Sequence, residues 1–289
     1  MSADILVTGA TGTVGAQVVR LLLQEGQPVR AAARNRSAVQ ARFGDAVQPV
    51  ALDFTDPLTW DAAYNGVRAM FLLRPPHLAR PKTQMIPSLE HARAAGVEHM
   101  VLLSLQGAER NPFVPHFALE RWLRRSGLSW TFVRASFFMQ NLTTVHVSDI
   151  RDRSSIVVPA GRGATAFVDA HDVSAVAVAA LLDPDGHRNR AWTPTGPQAL
   201  TYAEIAATVS RVLGRRIDYQ RPGALAYARH AHTALAMPAA MVLVTTAIYT
   251  AARLGQAAGL TDDVAAILGR PPISFAEFAD RERDAWTPT

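Results

Sequence analysis

The chain has 289 residues, 49% apolar and 18% charged, which makes it a globular protein of one large domain or two small ones and excludes the disordered classes. It has no cysteine, which excludes disulfides, thiolate metal sites, iron–sulfur clusters and a cysteine nucleophile, and fits a cytoplasmic location. The net charge of +5 raises nucleic acid as a partner, but a single lysine, Lys82, and scattered arginines make no basic patch, so no direct nucleic-acid contact is expected.

Ile5, Leu6 and Val7 predict a buried strand of a parallel sheet, beginning so early that no secretion leader is expected. Gly9, Gly12 and Gly15 follow in a G-x-x-G-x-x-G spacing. Val18, Val19 and Leu21 to Leu23 then predict an amphipathic helix closed by Gly26. Strand, glycine turn and helix place a diphosphate on a helix N-terminus, where free N–H groups and the helix dipole meet its charge. The residues expected to hold it are Gly9, Thr11, Gly12, Thr13, Val14 and Gly15.

Val29 to Ala33 is the second predicted strand, ending in Arg34-Asn35-Arg36-Ser37. A carboxylate at this junction suits the ribose of NAD, whereas basic and polar groups suit the extra phosphate of NADP. Arg34 and Asn35 therefore point to NADP(H). The third strand, Val47 to Leu52, ends in Asp53-Phe54, placed to bond the adenine amine and pack on its ring. Asp56-Pro57 reads as a cap and a first helical residue. Val67 to Leu73 is the fourth strand, and its end, Leu73 and Arg74, is expected over the cofactor.

A helix over Ile86 to Ala95, a fifth strand over Val97 to Ser104, a helix over Phe117 to Arg125 and a sixth strand over Leu128 to Val133 complete the alternation. The rhythm predicts a doubly wound α/β fold with right-handed crossovers. Arg121, Arg124 and Arg125 are expected on a solvated helix side. Later elements are a short strand at Ile156 to Val158, a helix capped by Asp172, capping boxes at Thr201 and Ser274, and a helix capped by Thr261 with Asp262 and Asp263 at its N-terminus. Ala231 to Ala252 carries no Asp, Glu, Lys or Arg. Its Pro238, threonines and alanines predict a buried helix pair lining a pocket, so no membrane span is expected. His230 and His232 are too few for a metal site, and no zinc-protease or nucleophile-elbow motif occurs.

The chain resembles the NmrA-like branch of the atypical short-chain dehydrogenase/reductases. The resemblance rests on Thr8 to Gly15, Arg34-Asn35, Asp53-Phe54, His116 to Glu120, Ser126 to Arg134, Phe138 to Asn141, Leu200 to Ala206 and Leu268 to Pro272. It implies a Rossmann domain, a smaller, mostly helical C-terminal substrate domain and an NADP(H) cleft between them. The expected division is 1–155, with 165–190 returning, and 156–289. The resemblance also implies a mixed family of quinone and ene reductases, biosynthetic reductases and redox sensors that reduce nothing.

The parent superfamily uses Tyr-x-x-x-Lys as its proton donor. Here the lysine position aligns with His116, one turn before Glu120, and the tyrosine falls near Pro112. Three explanations stand: His116 is the acid, the substrate needs no enzymic acid, or the cofactor is bound without turnover. Ser104 is placed to bond a substrate oxygen or the nicotinamide, or else to cap its own loop. Phe137, Phe138 and Met139 read as an apolar wall for substrate or as core, and Asn141 as a substrate contact or a turn cap. The expected function is an NADPH-dependent reductase acting on a small apolar molecule, a quinone, enone or carbonyl. The alternative is a cofactor-sensing regulator with a protein partner; a homodimer is also compatible.

Overall fold

The structure, a computed structural model, describes residues 4–287. In chain order the first elements are β1 (Ile5–Thr8), α1 (Thr13–Gln24), β2 (Val29–Ala33), α2 (Arg36–Phe43), β3 (Gln48–Ala51), α3 (Trp60–Tyr64), β4 (Ala69–Leu73), α4 (Pro81–Gln84), α5 (Ile86–Ala94), β5 (His99–Leu105), α6 (Pro115–Leu123) and β6 (Ser129–Ala135). Then come β7 (Phe137–Phe138), α7 (Val147–Arg153), β8 (Ser155–Val157), β9 (Ala164–Val168), α8 (Ala170–Leu182), α9 (Pro184–His187), β10 (Arg190–Trp192), β11 (Ala199–Thr201) and α10 (Tyr202–Leu213). The last are β12 (Asp218–Gln220), α11 (Ala224–Thr233), α12 (Ala239–Arg253), α13 (Asp263–Leu268) and α14 (Phe275–Arg281).

The chain forms two compact units. The first holds the residues up to Ala135, Ala170–Pro194 and Asp263–Gly269. Its sheet has seven parallel strands in the order β10-β6-β5-β4-β1-β2-β3. β1 lies inside the sheet, beside the central β4, with all four residues buried, as a strand covered by helices on both faces is, and Ile5, Leu6 and Val7 are accordingly apolar. Ile5 pairs with Val29 on one side and Ala69 on the other. Strand order reverses between β1 and β4, so the switch point of the sheet lies at the end of β1. Leu6, Met70, Leu102 and Phe132 point to one face, onto α5 and α6 through Leu89, Leu119 and Leu123. On the sheet's helical cover α1 packs against α8.

The second unit holds Ser136–Asp169, Thr195–Asp262 and the residues from Arg270. It is not wholly helical: β9 pairs antiparallel with β11 and parallel with β7, and β8 pairs with β12. Its core gathers Phe167, Tyr202, Tyr227, Tyr249, Phe278 and Trp286. Both expected capping boxes form, Thr201 with Glu204 and Ser274 with Glu277. The break between units falls at Ala135, not near 155, and α13 returns to the first unit, because β7 and α7 pack with the second core.

Several elements depart from expectation. α6 ends at Leu123, and Arg124 beyond it lies over the ring of Trp130 at 4.5 Å, so it is stacked and not merely solvated. Asp172 is the third residue of α8 and buried, not its cap. α13 starts at Asp263, two residues after Thr261. The larger correction concerns Ala231 to Ala252. Only Val242, Tyr249 and Ala252 of α12 are buried, while Leu243 is 74% exposed. The threonines of α12 satisfy themselves by donating to carbonyls one turn back, Thr246 to Val242 and Thr250 to Thr246, and need no buried partner. The segment is a surface helix with an apolar outer face. Among the described residues no helix is long and apolar enough to cross a membrane.

Candidate cofactor site

The carboxyl ends of β1, β2, β3 and β4 surround a cavity of about 250 Å³. Backbone bonds lock these ends together: the N–H of Ala10 donates to Ala32, and that of Leu52 to Ala33. Thr8 ties β1 to β4, its hydroxyl donating to the Phe71 carbonyl at 3.0 Å and accepting from the Leu73 N–H at 2.8 Å. Thr8, Gly9, Thr11 and Gly12 form one wall, Leu52, Asp53 and Phe54 another, and Arg34 stands at the end of β2. Leu73 and the segment Pro75 to Leu78 close the side of β4.

The glycines are needed for space. Gly9 has φ +63°, a left-handed conformation, and a Cβ there would lie 3.2 Å from Leu73 Cδ2. A Cβ on Gly15 would lie 2.2 Å from the Gly9 carbonyl oxygen, so α1 and the turn approach only because Gly15 has none. The N-cap of α1 is Gly12, which supplies no side-chain bond, and the first turn carries no acidic residue. The first-turn N–H groups thus have no side-chain cap and no competing anion, which suits a diphosphate. Thr13 is exposed, whereas Val14 and Gly15 are buried and act through backbone. A dinucleotide fits these residues: an uncapped helix start, a Cβ-free cradle, and a cation at the end of β2.

Arg34 is exposed on the rim. Asn35 does not line the cavity. Its Oδ1 accepts from Ser37 and Ala38 N–H and caps α2, a role that does not engage the Nδ2 donors a phosphate would use. Burial raises the pKa of Asp53, but bonds from Thr55 and the charges of Arg34 and His77 outweigh it and hold the carboxyl below its usual range. Phe54 is buried at the cavity wall. Arg74 is absent from the lining. Its Nη1 donates to the carbonyls of Pro75, Pro76 and Leu78, so it shapes the β4 loop.

Two contributors escape a sequence reading. Arg42 on α2 donates to the Thr11 carbonyl at 2.7 Å, bringing a second cation to the glycine turn. His77 lines the cavity from a loop with no recognisable motif.

The residues considered for catalysis behave differently. Ser104 is fully buried, and its hydroxyl donates to Glu120 Oε1 at 2.6 Å, so it presents no free donor. Glu120 is 2% exposed and takes a two-pronged bond from Arg134, at 3.0 and 2.6 Å. Arg134 also reaches Glu109 at 3.2 Å. His116 is 7% exposed. Burial, and then the charge of Arg74, lower its pKa to about 3, so its ring is uncharged at pH 7 and carries a single N–H, and its buried Nδ1 has no hydrogen-bond partner among the described residues. His116 is thus an uncharged ring in this state, and Ser104, Glu120 and Arg134 form one hydrogen-bond network.

Phe137, Phe138 and Asn141 belong to the second unit. Phe137 is half-buried, with its ring 5.6 Å from Phe167 and 5.7 Å from Tyr249, while Met139 is core. His230 bonds Asp149 at 2.8 Å, and Asp263 accepts from Thr193 N–H. No cluster of three metal-binding side chains occurs among the described residues.

A model of the NmrA-like family matches residues 1–252. The chain is 38% identical over 283 residues to an NAD(P)H azoreductase of Xenophilus azovorans, covering 95% of this chain and 96% of that one. It is 36% identical over 294 residues to a (4-alkanoyl-5-oxo-2,5-dihydrofuran-3-yl)methyl phosphate reductase of Streptomyces griseus, covering 98% and 99%. Among solved structures, the NADPH-dependent quinone oxidoreductase of Escherichia coli, crystallised with NADPH, superposes with a TM-score of 0.85 at 23% identity, covering 96% and 99%. That likeness concerns the fold. With the glycine turn, the strand order and the family match in agreement, this chain belongs to the NmrA-like family.

Proposed function

We propose that this protein is an NADPH-dependent reductase that passes hydride to a small, largely apolar acceptor, a quinone, an enone or a carbonyl compound. One observation carries the reading: a Cβ-free turn, an uncapped helix start and Arg34 border the same cavity. Relatives more than a third identical over nearly the whole chain are named as reductases, one of them using NAD(P)H.

The turn from Gly9 to Gly12 and the start of α1 hold the diphosphate. Arg34 takes the 2′-phosphate as a charge-assisted donor, with Arg42 adding positive potential. Asp53 and Phe54 take the adenine. When bound, the dihydronicotinamide supplies hydride. With no charged acid at His116, the acceptors favoured within that set are those whose reduced form can take its proton from water, a quinone or an activated alkene. Purified protein is to be mixed with NADPH and a panel of quinones, enones and carbonyls, following loss of the reduced-nicotinamide absorbance. Failure with every acceptor would sink the reductase reading.

A second reading is a cofactor-sensing regulator. The missing Tyr-x-x-x-Lys pair and the neutral, buried His116 favour it. It requires a stoichiometric protein partner recovered with one redox form of the cofactor and not the other.

A further inference from the structure

A second pocket, of about 340 Å³, lies in the first unit between the loop after β4 and the loop after β5. Arg80, in the loop after β4, and Lys82, on α4, line one side, and Pro112 and Phe113, in the loop after β5, with Pro115 and Ala118 of α6, line the other. Three features are unusual together. Phe113 is 94% exposed, a phenyl ring left in water with no core role. Lys82 is the chain's single lysine, and neither it nor Arg80 has an ion-pair partner among the described residues. The start of α6 also borders the pocket; its N-cap is Val114, which makes no side-chain bond.

The walls are stiff. Pro81 and Pro115 open α4 and α6, the Asn111 side chain accepts from the Phe113 N–H at 3.1 Å, and the Gln84 side chain accepts from the Arg80 N–H at 2.7 Å. Two unpaired cations and a helix dipole attract an anion, and an exposed ring beside them, its backbone held by Asn111, offers a stacking face. The neighbouring coenzyme cavity does not use these groups.

We propose that this pocket binds a flat apolar molecule through an anionic substituent, a phosphate, sulfonate or carboxylate, with Arg80 and Lys82 on the charge and Phe113 on the ring. That the molecule is the hydride acceptor rests on the reductase reading; that the pocket binds it does not.

The lone lysine gives a direct test. The full chain is treated with acetic anhydride, and acetylation of Lys82 is followed by peptide mass, with and without 2-naphthalenesulfonate, 2-naphthyl phosphate or 2-naphthoate. Neutral 2-naphthol is the control. The proposal expects at least one anion to slow labelling by about fivefold or more, as charge-assisted contacts occupy the ammonium, and naphthol to protect far less. Equal labelling throughout, or equal protection by naphthol, overturns it. The ranking of the three anions identifies the substituent.

The kinetic arm compares a naphthoquinone with its sulfonated form. Replacing both cations, Arg80→Gln with Lys82→Gln, is expected to raise KM for the sulfonate by about tenfold, kcat and NADPH affinity unchanged, and to leave KM for the parent quinone within about twofold. Phe113→Ala raises KM for both. An equal change for the two quinones contradicts the assignment of the acceptor to this pocket. If neither quinone is reduced, the reductase reading fails, and the labelling result still decides the pocket.

Discussion

Replacing Gly15 by alanine probes the cradle most sharply. The new Cβ would lie 2.2 Å from the Gly9 oxygen and 2.7 Å from its carbon, both backbone atoms of the turn. No side chain can swing aside, so turn or helix must move by roughly 1 Å to reach ordinary contact, which costs about 1–3 kcal/mol of stability. The larger effect falls on the coenzyme. A displacement of that size at a site built from fixed N–H groups weakens its use by about a hundredfold. Gly26→Ala is the control: φ is +70° and nothing lies within 4 Å of an added Cβ. It costs about 1 kcal/mol of backbone strain and leaves NADPH binding alone. Thermal melts and titration of nicotinamide fluorescence separate the two. A Gly15→Ala protein that binds NADPH within about twofold of the parent would refute the cradle argument.

His116→Ala is expected to leave the pH profile between about 5 and 8 unchanged, because a ring uncharged throughout that range does not titrate in it, and to keep kcat/KM within about threefold, the acceptor's proton coming from water. A loss of about a hundredfold would restore it as an acid. His116, His99 and His146 have folded pKa values of about 3, 4 and 4 against an ordinary 6.5, mainly through burial. Between these values the unfolded chain binds more protons, so stability is complete above about 6.5 and lost as pH falls. Each pH unit within that window costs about 1.4 kcal/mol per histidine, visible in urea midpoints. Glu120→Gln removes the nearer of the two carboxylates on the half-buried Arg134, Glu109 remaining at 3.2 Å, and costs about 2–3 kcal/mol, while Ser104→Ala costs about 1 kcal/mol. A smaller loss at Glu120 than at Ser104 would contradict the network.

The strands of the first unit were legible because buried parallel strands are short apolar runs with hard ends. β1 and β2 lie where Ile5 to Val7 and Val29 to Ala33 place them. The glycine turn was legible because few backbones bring a helix so close to a strand. What failed was contact. An asparagine after a strand can cap a helix with its oxygen and bond phosphate with its amide, and at Asn35 the cap, which the sequence reading did not foresee, engages the oxygen. Ser104 lies one residue before the end of β5, and a carboxylate sixteen residues later, Glu120, accepts the hydrogen bond of its hydroxyl. An alanine- and threonine-rich segment reads as buried, yet α12 turns Leu243 and Val244 outward. Such outcomes depend on distant partners, which composition and periodicity do not encode.

Calorimetric titration of the purified chain and its Arg34→Ser variant with NADPH and NADH tests the central claim most directly. The account predicts that the parent binds NADPH at least about tenfold more tightly than NADH, and that the variant loses that margin while still binding NADH. Equal affinities in the parent, or no binding of either nucleotide, would contradict it.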